Sequence, residues 1–254
     1  MIPFFRKIRY RLAQNNQFLK YSRYAIGEIV LVVVGILIAL QVNNWNQSKN
    51  LKDTEIKLLQ ELKKDLVETK LDLLSDIKKA HRELKRTDSI YQSIIENRRK
   101  KNILPVQISM VFLYDRADLY PKKSAYESLK AYGINLVSND SLRKHITDFF
   151  ELHLVRVNDT EKFIKDLSEK ELGSYLMKIS KDTNDCGDCS SLKEMLPSGS
   201  NLSANFYLID QPTDQLLHLL KKKYLAYSAL KRQYDLTQSK IEKMMTLIDI
   251  ETKP

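Results

Sequence analysis

The sequence predicts an all-α protein: an N-terminal transmembrane helix followed by an extracytoplasmic antiparallel helical bundle with long coiled-coil-like helices. Three observations lead there. Six Gly and six Pro in 254 residues make about 5% of the chain, against roughly 12% in average proteins, too few for the turns an all-β fold needs. Ile29–Leu40 reads IVLVVVGILIAL without one polar side chain. Apolar residues then recur at intervals of three and four through residues 46–99 and again through 213–250. With 43% hydrophobic and 29% charged residues, the composition is that of a folded chain.

The first element is the span. Between Tyr24 and Asn43 only Glu28 and Gln41 interrupt the apolar character. As a helix, this stretch rises about 30 Å, the thickness of a bilayer's hydrocarbon core. Both interruptions stand near an end, where polar groups reach the headgroups instead of the midplane. Tyr24 and Trp45 occupy the positions of interfacial aromatics. A cleaved signal peptide is the rival reading, since a basic region precedes the apolar run, but Leu40 to Trp45 offers no small-x-small cleavage site. A soluble core helix is the other, and a rod apolar all round needs a large protein about it.

Orientation follows from the flanks. Arg6, Lys7, Arg9, Arg11, Lys20 and Arg23 precede the span with no acid among them, whereas Trp45–Leu62 holds only Lys49, Lys52, Lys57 on the other side. The positive-inside rule therefore expects residues 1–23 in the cytoplasm, the span at 24–43, and residues 44–254 facing the periplasm or exterior. Phe4 and Phe5, with Ile8 and Leu12, share a helical face opposite the bases, a pattern that lies in an anionic leaflet. Within the span, Gly35 and Ala39 form a small-xxx-small pair that lets helices approach. Glu28 either snorkels to the interface or pairs with Arg23 or a partner's base.

The strings FFRKIR at Phe4–Arg9, YAIGEI at Tyr24–Ile29 and GILIALQVNNWN at Gly35–Asn46 resemble an uncharacterised family of bacterial single-span membrane proteins, classed only as a domain of unknown function. A looser similarity runs through SAYESLKAYG and LVSNDSLRKHITDFF, within Ser124–Phe150. The resemblance implies an architecture, with the inner membrane of a bacterium as the host and the C-terminal domain periplasmic, and no activity.

Beyond the span, Leu59, Leu62, Leu66, Thr69, Leu73, Ile77, Ala80, Leu84, Tyr91 and Ile94 make one stripe, and no Gly or Pro falls between residues 46 and 104. A single helix over 46–99 is expected, roughly 80 Å long. The C-terminal helix, 213–250, carries a stripe through Leu217, Leu220, Tyr224, Tyr227, Lys231, Tyr234, Gln238, Ile241, Met245 and Ile248, with Thr213 or Asp214 as its cap. Shorter helices fill 124–179: one ends at Gly133, and one is capped by Ser138 or Asn139 with an inner face through Leu142, Ile146, Phe149, Phe150, His153 and Val157. That helix either continues or restarts after Asn158. Residues 180–212 read as a polar loop, and 103–121 give no clear pattern.

The formal charge of +10 does not mark a nucleic-acid binder. Six unopposed bases lie before Glu28, and the remainder of the chain balances 36 bases against 32 acids. Cys186-Gly-Asp-Cys189 has the spacing of thiol oxidoreductases, but Asp182, Asp185 and Asp188 around it disfavour a thiolate. A disulfide in an oxidising compartment is the leading reading, with metal ligation, redox catalysis and inert thiols as the others. The four His residues make no HExxH motif, His153 reads as a hydrogen-bonded core residue, and Asp and Glu among Lys at helical spacing read as solvated faces. No cofactor or metal site is expected. The expected role is non-enzymatic: a membrane-anchored interaction or scaffold module whose partners are the lipid bilayer and another envelope protein or a second copy of itself. A sensory ligand-binding bundle signalling through a partner membrane protein is the alternative, and thiol-disulfide activity the third.

Overall fold

The computed structural model describes residues 10, 18–101, 106–109, 111–179, 181–182, 206–209 and 212–253. Its contacts divide the chain into two units, Met1–Ile56 and Lys57–Pro254. Helix α1, Phe18–Arg99, contributes to both.

In the first unit, the apolar side chains of α1 have nothing packed on them: Leu31 is 72% and Leu37 59% exposed. The described helix is long and apolar enough to cross a membrane, and none of its most apolar window is buried. A core helix of a soluble protein is mostly covered, and this one is not.

The second unit is helical. The stripe expected on α1 is its buried face: Leu59, Leu62, Leu66, Thr69, Leu73, Ala80 and Ile94 are buried, with Ile77, Leu84 and Tyr91 partly so. Helix α7, Asp214–Glu251, runs antiparallel to it. Ion pairs Lys63–Asp249 at 2.5 Å, Lys70–Glu242 at 2.7 Å and Arg98–Asp214 at 2.6 Å fix that direction, because each step along α1 is answered by a step back along α7. Thr213 caps α7, its Oγ1 accepting from Leu216 N at 3.3 Å.

Between them in sequence come α2 (Val111–Tyr114), α3 (Ser124–Tyr132), a 3-10 turn (Ile134–Leu136), α4 (Asp140–Thr147), α5 (Leu154–Asp166) and α6 (Ser174–Ile179). Gly133 ends α3 at φ 98, ψ 123, a backbone conformation that side-chain-bearing residues avoid. Asn139 caps α4 by accepting from Leu142 N at 3.0 Å. Two π-helical segments, Asp148–His153 and Leu167–Gly173, join α4 to α5 and α5 to α6. The helix therefore continues through Asn158 without restarting. Each wider turn shifts the register of the apolar face, so that Phe149, Phe150 and His153, then Leu167 and Leu172, all stay buried. Both α4 and α5 pack on α7.

Residues 180–212, read as a polar loop, require a correction at both ends. β2 (Lys181–Asp182) and β3 (Phe206–Ile209) pair antiparallel, and β1 (Val106–Ser109) joins β3 from the other side. Val106 faces Ile209 across the first ladder and Lys181 faces Leu208 across the second. Strands this short carry no periodic signal of their own. They form because Val106, Ile108 and Ile209 are buried with the helices and their backbone groups then need partners. In the same indistinct stretch, α2 sends Phe112 and Leu113 into the core.

Candidate functional site

The membrane-facing residues expected from the sequence stand on α1 in the first unit. Tyr24 is 61% and Trp45 68% exposed, one at each end of the apolar stretch. Ala39 and Gln41 are exposed and Glu28 is half-buried. A methyl placed on Gly35 would meet nothing within 4 Å, so that surface is open to another helix. The expected sites Phe4, Phe5, Cys186 and Cys189 lie outside the described residues.

The second unit holds a feature that reading charges as solvated does not anticipate: a line of buried polar groups along α7. Lys223 is fully buried, as is Glu83 of α1, and their Nζ and Oε2 atoms are 3.4 Å apart. Lys223 Nζ also donates to the Phe112 carbonyl oxygen at 2.5 Å and lies over the Phe112 ring. Arg86 donates to the other Glu83 oxygen at 2.6 Å. Burial lowers Lys223 to about 8 and raises Glu83, while the attraction between them opposes both shifts. Tyr227, one turn on from Lys223, is raised by burial and by the nearby Glu83 charge, and its hydroxyl has no hydrogen-bond partner among the described residues.

Two further contacts follow along α7. Tyr234 Oη donates to Glu161 Oε1 at 2.7 Å, and the Leu119 backbone N–H donates to the same oxygen at 3.1 Å. Burial raises Glu161, and these two donors pull it back. Then His153, in the first π-helical segment, meets Thr237 Oγ1 through Nε2 at 2.7 Å. The Thr237 hydroxyl donates its one proton to the Gln233 carbonyl at 2.7 Å, so His153 Nε2 carries the hydrogen and Thr237 accepts. Burial, with Lys240 and Arg156 nearby, lowers His153 to about 4, so the ring is neutral at physiological pH. The core-histidine expectation is met.

Asp76 belongs to the same class: it is buried, bonded to Lys79 at 2.9 Å, and raised by desolvation. The reading of helix-spaced carboxylates as uniformly solvated is therefore wrong at Asp76, Glu83 and Glu161. Spacing records which charges share a helix, not which faces a second helix will cover. One trace was visible in advance: Lys223 falls four residues after Leu219, three after Leu220 and four before Tyr227, inside an apolar stripe.

These groups are largely closed to solvent and satisfied chiefly by one another, so they act on packing. Slipping α7 by one turn would leave Lys223 or Glu161 buried without its partner, which costs several kcal/mol, and the polar line so fixes one register. Among the described residues, no three His, Cys, Asp or Glu side chains cluster as metal ligands.

A predominantly helical protein with an uncovered apolar helix of membrane-spanning length, joined in sequence to a polar-keyed helical unit, is the class these features define. The chain belongs to a family of unknown function (DUF6090), matched over residues 28–184. The match takes in the apolar helix and Glu83, His153 and Glu161, and ends before β3 and α7. No match is found among the curated proteins or among the solved structures.

Proposed function

We propose that this chain is a single-span protein of the bacterial inner membrane, with residues 1–23 cytoplasmic and the helical unit periplasmic, working as a non-enzymatic interaction module. Its partner is another envelope protein or a second copy of the chain. The observation that carries this reading is the uncovered apolar length of α1 from Ile26 to Val42, flanked by Tyr24 and Trp45. The excess of bases before the span supports the orientation. The internal pairing of the most buried ionisable groups, Lys223 with Glu83, supports a binding role over catalysis, since a substrate could not reach them.

The test has two arms. Alkaline carbonate should leave the full-length chain in the membrane pellet, and a reporter fused after Pro254 should be active only when exported. Extraction in mild detergent should then give a stoichiometric complex or a homo-oligomer. A chain released by carbonate, a reporter active only in the cytosol, or a lone monomer in detergent would each overturn the part it addresses.

A further inference from the structure

A pocket of about 210 Å³ opens in the second unit between the segment 119–123, which leads into α3, and helix α5. Leu119, Leu154 and Val157 in its lining are buried, whereas Val155 and Lys123 are exposed. Apolar side chains therefore form the walls and a lysine stands at the mouth. The remaining charged group of the lining is Glu161, which is 8% exposed.

Glu161 differs from the other buried carboxylates. Glu55 has Lys52 at 2.9 Å, Asp76 has Lys79 at 2.9 Å, and Glu83 has Arg86 at 2.6 Å and Lys223 at 3.4 Å. Among the described residues no cation lies within ion-pair distance of Glu161; its neighbours Asp118 and Asp76 add negative charge instead. Its two hydrogen bonds, from Tyr234 and from the Leu119 N–H, both end on Oε1. Oε2 has no hydrogen-bond partner among the described residues, yet it is not sealed off as the orphaned oxygens of Thr87 and Tyr227 are. The surface it keeps opens on the pocket that Glu161 lines. A buried carboxylate without a countercharge is costly, and the pocket is the one route by which a cation reaches it.

We propose that this pocket binds a small primary amine, one ammonium group on a short apolar chain. The ammonium donates to Glu161 Oε2 and supplies the missing countercharge, while the chain lies against Leu119, Leu154 and Val157. A cavity of about 150 Å³ admits a benzene ring, so a body of about five or six carbons fits the volume. Lys123 at the mouth repels a second positive charge, which favours a monoamine over a diamine. The pocket lies wholly within the second unit, so the site stands or falls apart from the topology and the partner proposed above.

The experiment is titration calorimetry on the full-length chain in a non-ionic detergent, each heat corrected against micelles alone. 3-Methylbutylamine is the probe; 3-methylbutan-1-ol, its neutral counterpart, and 1,5-diaminopentane are the comparison ligands. Saturable binding of the monoamine is expected, about tenfold or more tighter than the alcohol and tighter than the diamine. Glu161→Gln keeps an acceptor for Tyr234 and the Leu119 N–H and should remove the preference for amine over alcohol. Two changes at the exposed mouth leave Glu161 in place: Val155→Trp should block entry, and Lys123→Met should strengthen amine binding about twofold or more at low salt. No saturable heat up to about 10 mM would overturn the proposal. The alcohol or the diamine binding as tightly as the monoamine, or unchanged amine affinity in Glu161→Gln, would overturn it equally. Should Glu161→Gln not fold, unchanged affinity in both mouth variants overturns it.

Discussion

Lys223 of α7 and Glu83 of α1 face each other 3.4 Å apart with neither side chain reaching solvent. The carboxylate has two cations, Lys223 and Arg86, while the ammonium has one carboxylate and one carbonyl. That asymmetry sets the order of mutational costs. Glu83→Ala strands a buried lysine and should lower stability by about 3–5 kcal/mol, whereas Lys223→Met leaves Glu83 with Arg86 and should cost less. The double change Glu83→Leu with Lys223→Met should recover much of the loss. Thermal melts of the three proteins check this; equal losses for the two single changes would deny the asymmetry.

His153 gives the acid limb of the pH profile. Its folded-state value, about 4, lies below the ordinary 6.5. Between those values the unfolded chain binds a proton that the folded chain does not, so stability falls as pH drops from 6.5 towards 4 and the contribution levels off below that. The expected loss is about 3 kcal/mol. His153→Gln, which retains a donor for Thr237, should flatten this limb; an unchanged slope between wild type and variant would assign it to other groups.

Gly173 closes the second π-helical segment where space is short. A Cβ there would meet the Ser168 carbonyl oxygen at 3.2 Å and Leu113 Cδ1 at 3.3 Å. One contact is backbone, which has little freedom to withdraw. Gly173→Val should therefore cost about 1–3 kcal/mol by overpacking, read as a lowered melting temperature. The same change at Gly27, where nothing lies within 4 Å, provides the control.

Val33 lies midway along the apolar stretch and is 47% exposed. In a span, Val33→Arg puts a charge at the bilayer midplane at a cost of about 2.5–3.5 kcal/mol on insertion scales. Membrane-retained chain after carbonate treatment should drop for Val33→Arg and stay level for Gln41→Arg, whose position reaches the headgroups. Equal retention of both would count against the span.

The sequence determined the elements that local chemistry decides. The run from Ile29 to Leu40 is apolar whatever surrounds it, so the exposed rod was legible. Thr213 and Asn139 are caps because a short side-chain acceptor followed by a helical pattern satisfies an orphan N–H at once. The stripe on α1 was legible because one face of it is covered. On α7 the forecast stripe was only half right: Leu216, Leu219, Lys223, Ala226, Leu230, Thr237 and Met244 are also buried, while Tyr224 is 40% exposed. A helix packed by α1 on one flank and by α4 and α5 on another buries a wider arc than a single spacing describes.

Tertiary structure alone decided which charges went inside and where β1, β2 and β3 met. Residues 109 and 206 are close only because the helices between them fold back. Glu83 and Lys223 likewise meet across 140 positions. Burial of a charge is a property of two surfaces in contact. A sequence lists each surface separately, and its periodicity carries the helix but not the neighbour that will desolvate it.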